Sequence, residues 1–266
     1  MNDNINNIKE LNLCHSGRKL SVKYDLDPSY QVNKDMAQWL EDSSGDFAIE
    51  IIHLLLRCIY QGDTVIDGGA CIGYFTTMLS QLVGPTGTVY AFEPGKNNLP
   101  WLRRNLELNN CKNVLVIENP LWSENTEVTL HQANHGGGNS LTDIGVTQTT
   151  YPMQATTLTK YLPAKLIKLD LEGAEAHVLT IIKEPSQCPY IVTELNEHCL
   201  AKFHRTQDQF RYQMSEKGYS TFLLTLDGHM AVLLPPNTRL ACTRANVNIL
   251  FSTPEYVGRL WSLIAV

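Results

Sequence analysis

The sequence predicts an α/β fold, a mostly parallel sheet with helices on both faces, and three observations carry that expectation. Short apolar runs, among them Thr64-Val65-Ile66, Thr88 to Phe92 and Lys165 to Leu169, have the length and composition of strands buried on both faces, with Lys168 the only polar interruption inside the last. They alternate with segments whose apolar residues fall at helical spacing, such as Phe47, Ile51, Leu54, Leu55, Cys58 and Ile59. At 266 residues the chain is long enough for one large α/β domain with a substantial core.

Taken in order, residues 1–46 read as an N-terminal accessory segment, with a strand at Leu20–Tyr24 and a turn at Leu26-Asp27-Pro28-Ser29. Residues 47–266 form the main domain. Its first helix runs from Phe47 to Tyr60 and stops at Gln61-Gly62-Asp63; the strand Thr64-Val65-Ile66 then ends at Asp67. A helix follows from near Gly73 to Val83, broken by Gly84-Pro85-Thr86-Gly87. The strand Thr88–Phe92 ends at Glu93, a helix spans 96–109 and stops at Asn109-Asn110, and Val114–Ile117 is the third strand. An insertion near 120–160 interrupts the rhythm with an alternating strand, Glu127–His131, and a glycine-rich loop. The fourth strand, Lys165–Leu169, leads into helically spaced Ala176, Val178, Leu179, Ile181 and Ile182. A fifth strand at Tyr190–Thr193 and a helix over 206–217 follow; Phe222–Leu226, Met230–Leu234 and Val247–Phe251 close the sheet as an antiparallel hairpin.

Composition excludes several classes. With 43% hydrophobic and 18% charged residues the chain is not disordered. A net charge of -6, with no basic cluster beyond groups such as Arg103-Arg104, argues against nucleic acid as a partner. No apolar run approaches the roughly 20 residues of a membrane span, so no membrane partner is expected. The polar start MNDNINNIKELN lacks a signal-peptide layout. Seven cysteines without a C-x-x-C pair read as free thiols in a reducing cytoplasm. Oligomeric state leaves no trace in the sequence.

The segment Val65-Ile66-Asp67-Gly68-Gly69-Ala70-Cys71-Ile72-Gly73 is a strand, a glycine turn and a helix start, the arrangement that lets a backbone approach a nucleotide. Glu93, at the end of the next strand, has the acceptor pair a ribose diol requires. Asp67 at the mouth of the turn opposes a pyrophosphate and favours a cation. That chemistry favours S-adenosylmethionine, which carries a sulfonium and no phosphate, over a nicotinamide dinucleotide.

Together, VIDGGACIGYFT, the AFEP at Ala91–Pro94, the following NNLPWLRRNLELNN, GGGNSL at Gly136–Leu141 and IKLDLEGAE resemble the FkbM family of class I S-adenosylmethionine-dependent methyltransferases, over about residues 47–225. Cys71 departs from the asparagine the family often has there. The resemblance implies a Rossmann-like, mostly parallel seven-stranded sheet. It also implies that Asp67, Gly69, Gly73 and Phe75 lie along the cofactor, that Glu93 binds the ribose, and that Asn98 contributes beside the adenosine. Asn119 then meets the adenine edge, and Trp122 either covers the ring or packs in the core.

The acids after the fourth strand ask for a ligand or a helix end. Asp170, closing a buried strand at the cleft, is expected in the site beside the cofactor. Glu175 reads as a helix-start charge, and Glu172 stays open between the two roles. Glu194 and Asn196 end the fifth strand at the same edge. One reading makes Asp170, Glu194 and Glu172 the catalytic carboxylates, one of them taking the proton of a hydroxyl as its oxygen attacks the methyl carbon. The other has Asp170, Glu194 and Asn196 hold magnesium. Asn139 and Ser140 in the glycine loop, and His198 after the fifth strand, are candidates for substrate contact. The expected activity is transfer of a methyl group to a hydroxyl of a small molecule or sugar, with a natural product or glycan implied by the family. The alternatives are an NAD-dependent oxidoreductase and a methyltransferase fold that has lost catalysis.

Overall fold

The computed structural model describes residues 7–15, 17–42, 48–228, 230–236, 238, 240 and 246–261. Alternation in Leu20, Val22 and Tyr24 buries one face of a hairpin made by β1 (Ile8–His15) and β2 (Arg18–Asp25), antiparallel throughout. Helix α1 (Gln31–Asp42) follows. The hairpin is bolted to the main domain by directional bonds: Tyr24 Oη donates to the Tyr74 carbonyl at 2.8 Å, and Asp25 N–H donates to Asn105 Oδ1 at 2.8 Å. The sequence predicts the second of these strands alone. The first went unread because it alternates polar residues with few apolar ones.

The main domain begins with α2 (Ile49–Cys58); the expected start at Phe47 lies outside the described residues. Then come β3 (Thr64–Gly68), α3 (Tyr74–Val83), β4 (Thr88–Phe92), α4 (Leu99–Leu108) and β5 (Val114–Ile117). The insertion is a separate antiparallel ribbon, β6 (Glu127–Ala133) with β7 (Thr147–Gln154), whose connecting loop holds the three glycines. The chain re-enters the sheet with β8 (Leu166–Leu169), which leads to a single α-helical turn, α5 (Glu175–Val178), and a 3-10 turn at Leu179–Ile181 rather than the longer helix the spacing suggested. β9 (Tyr190–Asn196), α6 (Glu197–Lys202), α7 (Gln207–Ser215), β10 (Ser220–Leu224), β11 (Ala231–Leu234), β12 (Asn246–Ser252) and α8 (Pro254–Leu260) complete it.

The sheet has eight strands in the order β11-β10-β12-β9-β8-β3-β4-β5, one more than the seven the resemblance implies; its edge strand β11 is the expected Met230–Leu234 strand, shorter by one residue. The five from β9 to β5 run parallel, and β12, β10 and β11 are antiparallel. Separate apolar clusters bury the sheet, one containing Val65, Val89, Leu166 and Val192, the other Ile66, Phe92, Ile167 and Ile191. Consecutive residues thus alternate between two cores, which is why the strands read as unbroken apolar runs. The chain winds outward from β3 through β4 to β5, then returns to the other side of β3 as β8 and β9. That reversal leaves a crevice at the carboxyl ends of β3, β4 and β8, where open α/β sheets bind ligands. Among the described residues no helix is long and apolar enough to cross a membrane.

Candidate active site

At that crevice lies a cavity of about 490 Å³, within the range of small-ligand pockets. Its floor is the turn after β3. Gly69 has φ +77°, and a Cβ there would stand 1.9 Å from the Asp170 carbonyl oxygen, so only glycine lets the turn pass β8. The turn's N–H groups are spoken for: Gly69 and Ala70 donate to the Phe92 carbonyl, each at 3.0 Å, and Cys71 donates to Glu93 Oε2 at 2.7 Å. An anion-binding nest needs such amides free. Here one of them goes to the protein's own Glu93 and two to Phe92, which disfavours a pyrophosphate at these three amides.

Glu93 lines the cavity and is held by Gly95 N–H at 2.8 Å and Asn98 Nδ2 at 3.1 Å on its other oxygen. Burial raises its carboxyl above the ordinary value despite these bonds. Asn98 caps α4 in position only; its side chain instead ties Glu93 to the glycine loop at the Gly136 carbonyl, 3.1 Å away, and accepts from Tyr30 Oη at 2.5 Å.

Asp67 and Gly73 do not line the cavity. Asp67 is fully buried beneath the floor, accepting from Thr76 Oγ1 at 2.6 Å. Gly73, at φ +88°, is needed for packing: a Cβ there would meet Leu102 Cδ1 at 2.8 Å. Both support the turn from beneath. Gly69, Phe75, Glu93, Asn98 and Asp170 do line it. Asn119 turns outward and donates to the Gln154 carbonyl at 2.8 Å, while Trp122 stacks on His177 with ring centroids 4.7 Å apart. After β5 the wall is supplied by Pro120 and Leu121 instead, because the chain bends into the ribbon and reverses the direction of alternate side chains.

Lys168 is the residue the sequence displayed but did not explain. It sits inside β8 yet lines the cavity, with Nζ 3.6 Å from Asp170 Oδ2, 3.8 Å from Asp67 Oδ1 and 5.0 Å from the Phe75 ring centroid. Burial lowers its tendency to hold a proton, but Asp170 and Asp67 outweigh burial and leave it raised. Asp67 is raised as well, since its own burial outweighs the attraction of Lys168. A lone polar residue within an otherwise apolar central strand was the available signal.

Three further carboxyls share this neighbourhood. Glu172, left-handed at φ +53°, lines the cavity and accepts from Cys199 Sγ at 3.3 Å. Glu194 lines it with no hydrogen bond to its carboxyl among the described residues. Burial first, then the charge of Asp170, pushes Glu172 up to about 8 and Glu194 up to about 9. Glu175 is 2% exposed, accepts from Leu171 N–H at 2.6 Å and is pushed up to about 7 by burial. It therefore stands at a helix start, as expected, but buried and clamping the turn. Asn196 does not join a metal site: its Oδ1 accepts from Cys199 N–H at 3.2 Å as the cap of α6. Among the described residues no cluster of histidine, cysteine or acidic side chains is arranged to hold a metal.

These raised carboxyls give a prediction with a definite sign. Their unfolded values lie near 4.5, so the folded, ligand-free protein binds more protons than the unfolded chain up to about pH 9. Stability must then fall as pH rises, with a slope of up to about 1.4 kcal/mol per pH unit for each carboxyl that differs by one proton. Melting temperatures measured from pH 7 to 9 should drop steadily; a flat profile would mean that these groups are ionised in the folded state at neutral pH.

The glycine loop closes one side. Asn139 and Ser140 both line the cavity; Asn139 Oδ1 accepts from Ala133 N–H at 2.9 Å, and Ser140 Oγ donates to the Glu172 carbonyl at 3.3 Å. His198 lies outside it, exposed, with Nε2 3.2 Å from the Ile144 carbonyl. The opposite wall is a stripe of α1: Val32, Asp35, Met36 and Trp39, at helical spacing. The N-terminal segment and the insertion thus shape the cavity, whereas among the described residues the closing hairpin contributes none of its lining.

The sequence model described as Methyltransferase FkbM domain matches residues 67–221, from Asp67 under the floor to β10. No curated protein matches the sequence. Solved structures of similar fold include a SAM-dependent methyltransferase from Aquifex aeolicus, 14% identical over 85% of this chain and 96% of that one, TM-score 0.45. Another is a SAM-dependent O-methyltransferase from Thermotoga maritima, 12% identical over 91% and 77%, TM-score 0.44. A third is an rRNA methylase from Streptococcus thermophilus, 13% identical over 77% and 95%, TM-score 0.43. At these identities the likeness is one of fold and names no acceptor.

Proposed function

The chain belongs to the FkbM methyltransferase family, and from that premise we propose that it is an O-methyltransferase acting on a hydroxyl of a small molecule or sugar. The observation that carries the acceptor class is the wall of carboxyls, Asp170, Glu172 and Glu194, in one cavity. An oxygen nucleophile must lose a proton as it is methylated, and such a wall is suited to receive it.

The residues present fit S-adenosylmethionine. The turn offers no free amides for phosphate, the lining is rich in carboxyls that favour a cation, and Glu93 presents acceptors for a ribose diol. Glu93, the Gly69–Cys71 turn, Asn98, Phe75 and Leu121 would hold it, with Asp170 at the methionine end. When bound, the cofactor supplies a methyl group on a positively charged sulfur.

The chain's own groups do the rest. Lys168, 3.6 Å from Asp170, holds it in place, so Asp170 is the positioning carboxylate. Glu194, whose carboxyl makes no hydrogen bond among the described residues, is the proton acceptor for the substrate hydroxyl. Glu172, steadied by Cys199, shares the proton with it. Asp35 and Trp39 of α1 and Asn139 and Ser140 of the loop orient the acceptor, which supplies much of the rate through alignment.

Calorimetric titration with S-adenosylmethionine, S-adenosylhomocysteine and NAD tests the cofactor, and a screen of hydroxylated metabolites and sugars by product mass tests the acceptor. Binding of NAD alone, or methylation only at nitrogen or carbon, would overturn the reading. Glu93→Gln should weaken S-adenosylhomocysteine binding by about 10- to 100-fold, the loss of charge-assisted hydrogen bonds to the ribose. Unchanged affinity in the same titration would remove Glu93 from the cofactor site.

A further inference from the structure

We propose that Glu172 and Glu194 act as a charge counterweight to the cofactor, holding a proton in the ligand-free protein and releasing it when the cationic methyl donor enters. The inference rests on the methyltransferase reading above and adds what arms the base.

The acids at this end of the sheet outnumber the cations, with Asp67 beneath the cavity floor and Asp170, Glu172 and Glu194 along its wall. Asp67, Asp170, Glu172 and Glu194 surround a single ammonium, Lys168, which is already placed between Asp67 at 3.8 Å and Asp170 at 3.6 Å. Among the described residues neither Glu172 nor Glu194 has an ion pair. Glu172 faces Asp170, Glu175, Lys168 and the Cys199 thiol, and Glu194 faces Asp170, Glu172, Glu175 and Lys168. On the neighbouring β12, Asn248 stands opposite Glu194 in the register and is bound to Glu50 at 2.7 Å. The remaining titratable groups of the cavity wall are Asp35, Cys71, Tyr74, Glu93 and His135, with no lysine or arginine among them. A second or third buried carboxylate without a cation is costly, and protonation removes the cost. A bound cation removes it too, by favouring the ionised form.

The charges then balance through the reaction. The bond from the acceptor oxygen to the methyl carbon forms as the sulfur–methyl bond breaks, and its electron pair stays on sulfur. The hydroxyl proton passes to the carboxylate. The pocket loses one positive charge on sulfur and gains one proton on the acid pair, so its total charge is unchanged. The base is therefore ionised only while a methyl donor is in place, and is protonated again beside the neutral thioether product.

The test needs no acceptor. S-adenosylmethionine and S-adenosylhomocysteine differ only by the methyl group and the charge on sulfur. Titrating each into the protein in phosphate and in Tris, whose ionisation enthalpies differ, counts the protons released. About one more proton should leave with S-adenosylmethionine, and its affinity relative to S-adenosylhomocysteine should rise up to about tenfold per pH unit between about pH 6.5 and 8. The Glu172→Gln/Glu194→Gln variant should lose both the extra proton and the pH dependence, and Glu194→Gln alone should reduce them. Equal proton counts in the unaltered protein, or a difference that persists in the double variant, would overturn the inference while leaving the methyltransferase reading intact. Binding of neither ligand would overturn that reading itself.

Discussion

Replacing Glu194 by glutamine is expected to lower kcat by about 10²- to 10⁴-fold, the range for loss of a general base, with S-adenosylhomocysteine affinity near that of the unaltered protein. The reason is local. Glu194 lies near the end of β9 at the crevice, lines the cavity, and among the described residues its carboxyl makes no hydrogen bond, so it is available to a substrate hydroxyl. Glutamine keeps its shape and removes its basicity. kcat/KM for the cofactor, which reports the free protein, should rise with pH through the region of about 8 to 9 where the acid pair loses its proton. The limb in kcat should lie at lower pH, because the bound cation favours ionisation. Asp170→Asn should instead change both kcat and KM, since it disturbs the group that Lys168 holds. Full turnover by Glu194→Gln would move the proton acceptor elsewhere.

Lys168→Met is expected to destabilise the protein by about 3–5 kcal/mol, because it strands a buried carboxylate without its cation. Asp67 is completely buried, and Lys168 is its only nearby positive charge among the described residues. The double variant Asp67→Asn/Lys168→Met should recover much of the loss, so that the two substitutions are far from additive. Urea unfolding of the three proteins decides the matter. A loss below about 1 kcal/mol in the single variant would mean that the pair behaves like a solvated surface contact.

Much of the site's outline was legible in the sequence for a simple reason. Strands of a parallel sheet end together, so acids that close consecutive strands, such as Glu93, Asp170 and Glu194, must gather at one crevice. What was not legible was the direction in which neighbouring side chains point. Asp67 and Gly68 are adjacent in sequence, yet the strand's alternation sends Asp67 beneath the floor, where it meets Lys168 instead of a ligand. After β5 it is Pro120 and Leu121 that line the cavity, while Asn119 is exposed and Trp122 takes the second of its two expected places, packed on His177. The sequence places Glu175 at a helix start but does not give its burial. In α5 the helix is one turn long and lies under the acid turn, which buries it.

By itself, then, the sequence determined the order of elements, the parallel core and the chemistry at the strand ends, because periodicity and glycine turns are local properties of the chain. Only the tertiary structure decided which of those groups share a space. It brought α1, distant in sequence, against the cavity, placed one lysine among four acids, and filled the amide turn with Glu93. Those outcomes depend on burial and on distances between segments far apart in the chain, and they set the protonation of the carboxyls on which the proposed chemistry rests.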